Sequence, residues 1–398
     1  MSLSLCMIVK NEAAILSKCL SSVKNVVDEM VVVDTGSIDR TPNIAAQFGA
    51  KVHHFQWCND FSAARNAALK YVTGDWILVL DADETLTREI VPLLQDAIAR
   101  DEYLLINLVR QEVGAEQSPY SLVSRLFRNH PDIRFERPYH ALVDDSVTAI
   151  LNQEPDWQVG YLPGVAILHS GYQKTAIAQN NKYAKAAAAM EGFLATHPDD
   201  PYVCSKLGAL YVETGKIAQG MELLKRGIAS SDENYDILYE LHYHLGIAYS
   251  RLQNTQQAIA HYQTATKLPI YPMLKLGAYN NLGNLLKAAG DFEGAKNAYA
   301  TTLKIDPNFV VGYYNLAMIF KAFGLFTDAI AFYQQAIQLN PNYAEAYQNL
   351  GVVLLKAGNH QDSLKAFKKA IALHEKHNPQ EAKRLRQGLQ EMGLFRNP

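Results

Sequence analysis

Several features that would point to particular functions are scarce or missing in this sequence. No apolar run approaches the length that crosses a membrane, and the N-terminal MSLSLCMIVKNE lacks a basic segment before Asn11 and Glu12. Charge is balanced, with 37 Lys and Arg against 40 Asp and Glu, and no block of one sign occurs. These absences predict a cytoplasmic protein without a transmembrane segment, and they give no sign of a nucleic-acid partner.

Cysteine is also scarce. The four cysteines, Cys6, Cys19, Cys58 and Cys204, show no C-x-x-C spacing, and Cys6 lies inside an apolar run. We therefore expect reduced thiols that pack as small apolar side chains. At 398 residues, of which 48% are hydrophobic, the chain is long enough for two globular domains.

From Leu3 to about Arg128, short β-rich runs alternate with helical ones, as in MVVVD before TPNIAAQFG. This alternation predicts an α/β N-terminal domain with a mostly parallel sheet and helices on both faces. Polar residues follow three of the strands, at residues 10–12, 34–37 and 81–83. Because ligands of such sheets bind beyond the carboxyl ends of the strands, these polar residues predict a binding site at that rim.

Two carboxylates, Asp81 and Asp83, come directly after the apolar run WILVL. Side chains two residues apart on an extended chain point the same way, so the two acids would repel each other without a cation. A hard divalent cation, Mn²⁺ or Mg²⁺, held by carboxylates and substrate phosphates, removes that repulsion and acts as a Lewis acid on a departing diphosphate. Solvated acids at a strand end are the alternative explanation.

From about residue 175 onward, a helical repeat replaces the strands. Small residues recur every 34 residues, at Gly283, Ala317 and Gly351. This register predicts helix pairs that begin near Leu276, Val310 and Ala344, with two looser units before them. Small residues let paired helices approach each other, as in helical solenoids. The pattern resembles the tetratricopeptide repeat, in about five copies over residues 201–378.

Four segments of the N-terminal part resemble, in order and spacing, the family 2 glycosyltransferases with the GT-A nucleotide-diphospho-sugar fold. They are SLCMIVKNEAAILSKCLSSV, VVVDTGSIDRT, NDFSAARNAAL and GDWILVLDADE. FSAARN and ILHSGY are typical of the branch in which a short transferase domain precedes tetratricopeptide repeats. The resemblance implies a transferase domain at 1–172, a linking helix within 173–200, and an all-α solenoid with a C-terminal capping helix at 201–398.

The same resemblance implies roles in binding the donor. Asp34 would bind the nucleotide base, with Asn11 and Glu12 lining the same pocket, and Arg65 would reach the nucleotide or its phosphates. Asp60 would be a further donor contact, although an N-cap for the helix that starts at Phe61 explains this residue equally well.

Three further residues would surround the diphosphate. Asp81 would contact the ribose or the metal, Asp83 would bind the metal directly, and His169 would be a metal or diphosphate ligand, with a purely structural histidine as the alternative. The implied reaction is inverting transfer from a UDP-sugar, assisted by Mn²⁺ or Mg²⁺.

The sequence departs from the family where a catalytic base is expected. Members often carry His-Glu after an RLFRN segment, whereas this chain has His140-Ala141. Either Asp144 or Asp145 would then take the acceptor proton. The alternative is a tetratricopeptide scaffold whose transferase domain binds donor without transferring it efficiently, and a solvated loop also explains the two acids.

The repeats predict a protein or peptide acceptor or partner. Three asparagines at 34-residue steps, Asn281, Asn315 and Asn349, occupy a position that faces the groove of tetratricopeptide arrays. Their carboxamides can donate and accept hydrogen bonds along an extended peptide. Asparagine is common at this position whatever the repeat binds, and the array can equally serve formation of a homo-oligomer.

A phosphatase remains a competing interpretation of one motif. LVLDADET fits the D-x-D-x-T motif of haloacid-dehalogenase phosphatases, in which the first aspartate is a nucleophile. That motif normally lies on the first strand of its domain, whereas three strand–helix units precede it here.

Overall fold

The computed structural model describes residues 1–115, 118–137, 141–171, 182–231 and 234–394. The chain divides into two compact units. The first comprises Met1–Ala115 and Pro119–Asp232, and the second comprises Glu116–Ser118 and Glu233–Pro398. Within the described residues, no helix combines the length and apolar character needed to cross a membrane.

One sheet forms the centre of the first unit. Its strands in the described residues are β1 (Leu3–Val9), β2 (Glu29–Asp34), β3 (Lys51–His54), β4 (Trp76–Val79), β5 (Glu84–Leu86), β6 (Tyr103–Glu112), β7 (Tyr120–Arg128) and β8 (Gln158–His169). They are arranged in the order β3-β2-β1-β4-β7-β6-β8-β5. The first four in this order are mutually parallel, whereas β7 runs antiparallel to both β4 and β6.

Helices cover both faces of this sheet. They are α1 (Leu16–Val23), α2 (Thr41–Gln47), α3 (Phe61–Leu69), α4 (Val91–Ile98) and α5 (Asp144–Gln153). Helices α1, α2 and α4 pack on one face around the fully buried Trp76, and α3 and α5 pack on the other around Phe127. The predicted α/β fold class with helices on both faces is confirmed, and its sheet is mixed.

The remaining helices pair in antiparallel fashion as solenoid repeats. In the described residues they are α6 (Lys182–Leu194), α7 (Pro201–Glu213), α8 (Ile217–Ser230), α9 (Tyr235–Arg251), α10 (Thr255–Lys267), α11 (Leu276–Ala288), α12 (Phe292–Ile305), α13 (Val310–Ala322), α14 (Phe326–Leu339), α15 (Ala344–Lys356), α16 (His360–His377) and α17 (Pro379–Glu391). Helices α11, α13 and α15 begin at the residues that the 34-residue register predicts. The first repeat, α7 with α8, belongs to the same compact unit as the sheet.

Glycine is required where paired helices touch, and Gly283 of α11 gives a test of this packing. An added Cβ would lie 2.5 Å from Cε1 of the fully buried Tyr299 on α12. We expect Gly283→Ala to lower the free energy of unfolding by about 1–3 kcal/mol, measured from the urea midpoint. Gly388→Ala in α17 is the matched control, because no described atom lies within 4 Å of its added Cβ. That change should instead stabilise the helix slightly, and equal effects of the two would contradict the packing argument.

Candidate active site

The parallel strands bring the polar rim residues together at one edge of the sheet. Asn11 follows β1, Asp34 ends β2, and Asp81 follows β4. Strand β1 lies between β2 and β4, with Val9 paired to Asp34. The carboxyl ends of three neighbouring strands therefore present their polar groups to one side of the molecule.

Asp34 lies in a small pocket of backbone N–H donors. The backbone amides of Gly36 and Ser37 donate to its carboxylate at 3.0–3.2 Å. Burial would raise the pKa of Asp34, but the hydrogen bonds from Ser37 and Gly36 outweigh it and lower the pKa. Asn11, whose φ is 58°, accepts a hydrogen bond from the backbone amide of Ile38 at 2.8 Å. These contacts fix the loop after β2 against the loop after β1.

Glu12 and Asp60 have local structural contacts. The backbone amide of Glu12 donates to Oγ1 of Thr41 at 2.8 Å, which joins the loop after β1 to the start of α2. Asp60 is the N-cap of α3 and accepts a hydrogen bond from the backbone amide of Ala63 at 3.1 Å. The N-cap explanation of Asp60 therefore has direct geometric support.

Two arginines hold Asp81 between them. Nη2 of Arg65 lies 2.7 Å from Oδ1 of Asp81, and Nη2 of Arg125 lies 3.0 Å from its Oδ2. Burial would raise the pKa of Asp81, but Arg125 and Arg65 outweigh it and hold the pKa well below its ordinary range. Among the described residues, the buried Nη1 atoms of both arginines have no hydrogen-bond partner. Two guanidinium groups thus each retain a donor for an anion beside Asp81.

Asp83 and His169 form a second pair at the rim. Nε2 of His169 lies 3.0 Å from Oδ2 of Asp83, and its Nδ1 contacts Glu112. Burial would lower the pKa of His169, but hydrogen bonds to Asp83 and Glu112 outweigh it and raise the pKa to about 9. Gly171 packs closely against this pair, because an added Cβ would clash with Oδ2 of Asp83 and Nε2 of His169.

A buried ion-pair chain connects the two groups of residues. Glu84, fully buried, accepts a hydrogen bond from the backbone amide of Asp81 at 2.9 Å and an ion pair from Arg110 at 3.1 Å. Arg110 also pairs with Glu112 at 2.9 Å, and Glu112 contacts His169. Within the described ranges, no cluster of three or more His, Cys, Asp or Glu side chains is arranged to hold a metal ion.

A register shift between β6 and β7 directs Arg125 toward Asp81 and Ser124 toward Asp144. Between the pairs Ile106–Leu126 and Leu108–Val123, β6 advances two residues and β7 advances three. The extra residue in β7 forms a bulge, which locally changes the direction of the strand's side chains. Arg125 then reaches Asp81, while Ser124 lies 2.8 Å from Oδ1 of Asp144 at the start of α5.

Asp144 and Asp145 have different environments although they are adjacent. In the part of the chain that the structure describes, Oδ2 of Asp144 is buried without a hydrogen-bond partner, and burial raises the pKa of this carboxyl group. Asp145 is exposed and forms an ion pair with Arg137. Ala141 packs against the hydrophobic core of the α5 face, and His140 lies outside the described residues.

Comparison with known proteins identifies the two parts of the chain. Residues 4–160 match the family described as Glycosyl transferase family 2, and segments within residues 178–376 match tetratricopeptide repeat families. A TPR repeat-containing protein of Synechococcus elongatus is 46% identical over 301 residues, which are 75% of each chain. The chain thus carries an N-terminal family 2 glycosyltransferase domain followed by tetratricopeptide repeats.

Other relatives match one part of this chain. An uncharacterized glycosyltransferase of Rickettsia felis is 34% identical over 182 residues, which cover 43% of this chain and 62% of the relative. The chain therefore spans about three fifths of that relative's length. The crystal structure of MamA protein is 21% identical, covers 46% of this chain and 97% of its own, and has a TM-score of 0.39.

The three repeat asparagines are engaged inside the helical array. Asn281 donates to the hydroxyl of Tyr262 at 3.3 Å, and Asn315, 5% exposed, donates to Asn280 at 2.9 Å. Asn349 donates to the hydroxyl of Tyr314 at 3.0 Å and accepts from Lys321 at 2.8 Å. Their amides therefore link neighbouring helices in this structure, and a peptide would have to compete for them.

Sequence reasoning did not identify Arg125, Glu112 or Arg110 as site residues. Arg125 begins the RLFRN segment and lies within β7, and it could have been considered beside the candidate base. Glu112 and Arg110 reach the rim because β6 pairs with β8, which brings them beside Glu84 and His169. That pairing joins residues more than 50 positions apart, so no local sequence pattern predicts it.

Proposed function

We propose that this protein transfers a sugar, with inversion at the anomeric carbon, from a nucleotide diphosphate sugar to an acceptor hydroxyl, amine or thiol. The observation that carries the proposal is the Arg65–Asp81–Arg125 group, in which two buried guanidinium groups each keep one Nη1 donor without a described partner. Guanidinium groups bind phosphate oxygens through charge-assisted hydrogen bonds. Because both Nη1 atoms are buried beside Asp81, a diphosphate would satisfy these donors after the two side chains turn toward it.

The nucleotide is proposed to lie over β1 and β2. Asp34, kept ionised by its hydrogen bonds, and Asn11 border this region, and Glu12 follows on the same loop. The resemblance to UDP-sugar enzymes favours UDP as the nucleotide. In this orientation the diphosphate would lie near Arg65 and Arg125. Both arginines contact Asp81, which follows β4, and β4 is adjacent to β1 in the sheet.

We propose that Asp83 supplies a carboxylate oxygen to a divalent cation, Mn²⁺ or Mg²⁺, bound together with the diphosphate. Nε2 of His169 lies 3.0 Å from this carboxylate and would join the ligand set after losing its proton. Glu112 orients the ring of His169 through Nδ1, as carboxylates commonly do behind metal-binding histidines. A bound cation would act as a Lewis acid on the leaving diphosphate.

Asp144 is the better candidate for the base that removes the acceptor proton. Its Oδ2 is buried and unpaired among the described residues, whereas Asp145 already neutralises Arg137. In the proposed reaction, the acceptor atom attacks the anomeric carbon, the bond to the diphosphate breaks, and the acceptor proton moves to Asp144. Arg65 and Arg125 balance the charge that develops on the leaving group.

The acceptor is proposed to be a peptide or protein segment. Tetratricopeptide arrays present extended concave surfaces that suit such partners. The competing possibility is a scaffold that binds donor and transfers little, for which Ala141, in place of the expected glutamate, is the specific observation.

Thermal unfolding with UDP and Mn²⁺ tests the donor site. A ligand that binds only the folded state stabilises it, by about 2.7 kcal/mol at one hundred times its Kd. We expect a metal-dependent rise in Tm for the wild type, and loss of that rise in Asp83→Ala because the cation loses a ligand. The measurement is differential scanning fluorimetry with and without a chelator.

Asp101→Ala is the control for this experiment. Asp101 lies in the same unit, and its side chain is 92% exposed beside Arg128. Its replacement should leave the UDP-dependent rise intact. If UDP and other nucleoside diphosphates leave the Tm of the wild type unchanged, the transferase proposal fails and the scaffold takes its place.

A further inference from the structure

The first repeat packs against the sheet domain through an ion-pair group. Asp200 is the N-cap of α7 and accepts a hydrogen bond from the backbone amide of Val203 at 2.7 Å. Its other oxygen, Oδ2, lies 2.8 Å from Nη2 of Arg137. Both partners belong to the same compact unit. The start of the first repeat is therefore attached to the loop that precedes α5.

Arg137 also connects this repeat to the candidate base. Its guanidinium pairs with Asp145, the neighbour of Asp144 in the first turn of α5. The Arg137 side chain is only 10% exposed, and its backbone φ of 72° lies in the left-handed region. A buried arginine paired with two carboxylates has a fixed position, so α7 and the start of α5 are held together.

Tyr202 is the side chain of α7 that this arrangement brings toward the active site. The guanidinium of Arg137 and the ammonium of Lys206 each lie 5.2 Å from its ring centroid, which restrains the ring. Arg137, whose guanidinium contacts this ring, also pairs with Asp145 in the first turn of α5. The first repeat thus places an aromatic side chain close to the start of α5, where the candidate base Asp144 lies.

The sheet order shows on which side of the site Tyr202 lies. Asp34 ends β2, whereas Arg125 lies on β7, and β1 and β4 separate these two strands. Asp144 is bonded to Ser124 of β7, and Tyr202 is joined to the neighbouring Asp145 through Arg137, so both lie on the β7 side, away from the proposed nucleotide position. Lys206, one turn after Tyr202, stands two residues before Gly208, as Asn281 stands two before Gly283. It therefore occupies the repeat position of the asparagines that bond to neighbouring helices.

We propose that the first repeat forms the acceptor side of the transferase site and that Tyr202 contacts a peptide acceptor there. This inference rests on the proposed transferase function. Tyr202 is already restrained before the acceptor binds, so little side-chain entropy is lost on binding. The surface of α7 that carries Tyr202 and Lys206 would direct the peptide toward Asp144. The repeat would thereby determine which peptides are modified.

The test compares Tyr202→Ala and Tyr202→Phe with Tyr211→Ala in the full-length protein. Tyr211 is a matched control, because it lies on the same helix and is also stacked with a lysine, Lys216. The acceptor probe is an array of synthetic peptides that contain Ser, Thr or Cys, labelled from a panel of radioactive UDP-sugars. For the best peptide, we expect Tyr202→Ala to raise KM by about tenfold or more, and Tyr202→Phe to show an intermediate effect.

Asp200→Asn is a second variant that separates folding from function. Asparagine preserves the N-cap of α7 but removes the ion pair with Arg137. We expect the peptide KM to rise while the UDP-dependent rise in Tm persists. Tyr211→Ala should change neither quantity.

The outcomes distinguish this inference from the proposed function. If the wild type shows no UDP-dependent stabilisation, the transferase proposal fails together with the inference. If stabilisation is normal but Tyr202→Ala leaves the peptide KM unchanged, only the inference fails. Labelling of an oligosaccharide with no labelling of any peptide would also overturn the peptide acceptor while leaving the donor site intact.

Discussion

Replacing Asp144 with asparagine is expected to lower sugar transfer by about a thousandfold, the scale of a lost general base. Asparagine retains an oxygen to accept the hydrogen bond that Ser124 donates at 2.8 Å, so the start of α5 should keep its structure. It cannot accept the proton of the acceptor. Donor binding should persist, because the arginines and Asp34 are untouched. The measurement is the initial rate of transfer together with the UDP-dependent shift in Tm.

Stability should not fall in this variant at neutral pH. Burial raises the pKa of Asp144 in the folded protein above its value in the unfolded chain. Any stability that this raised pKa confers is present below the unfolded pKa and is lost as pH rises through the folded pKa. In its ionised form Asp144 therefore carries an unrelieved burial cost, which asparagine removes. For the wild type, the acid limb of the rate profile should lie above the ordinary aspartate pKa.

Asp145→Asn is the control for the assignment of the base. It removes the charge that pairs with Arg137, but it leaves the unpaired oxygen of Asp144 in place. We expect a much smaller loss of transfer than in Asp144→Asn. If Asp145→Asn is the more damaging change, the two roles are reversed and Asp144 is a structural residue.

The sequence was most informative where the determinants are local. The 34-residue register depends on contacts within one helix pair, such as Gly283 with Tyr299, so it predicted the starts of α11, α13 and α15. The strand–helix alternation likewise predicted that Asp34 and Asp81 lie at strand ends on the same rim of the sheet. Parallel strands joined by helices leave little freedom in where their carboxyl ends lie.

Partners that depend on non-local pairing could not be predicted. A one-residue shift between β6 and β7 brings Ser124 to Asp144 and Arg125 to Asp81, and no sequence signal marks that bulge. Repeat asparagines look free for a ligand in the sequence, yet Asn315 bonds to Asn280 of the preceding repeat. The contact of Asp200 with Arg137 joins residues 63 positions apart, so the close packing of the first repeat on the sheet domain was also not foreseen.

Replacing Arg125 with alanine is the second change for which we expect a large effect. The lost guanidinium should weaken UDP binding by about 10- to 100-fold, because a charge-assisted hydrogen bond to phosphate is removed. Asp81 would keep only Arg65 as its partner, so more of its negative charge would face the diphosphate. The measurement is isothermal titration of UDP in the presence of Mn²⁺.

Two further variants determine whether the effect belongs to the site. Arg125→Lys keeps the positive charge. A single ammonium group lacks the planar set of donors with which arginine can bond to Asp81 and a phosphate at the same time, so we expect only partial recovery of UDP affinity. Arg128 lies three residues along β7, at 15% exposure and 4.7 Å from the ring of Trp76. Arg128→Ala should therefore reduce stability without reducing UDP affinity. Equal losses of affinity in Arg125→Ala and Arg128→Ala would mean that β7 had been disturbed as a whole, and the two-arginine site for the diphosphate would be rejected.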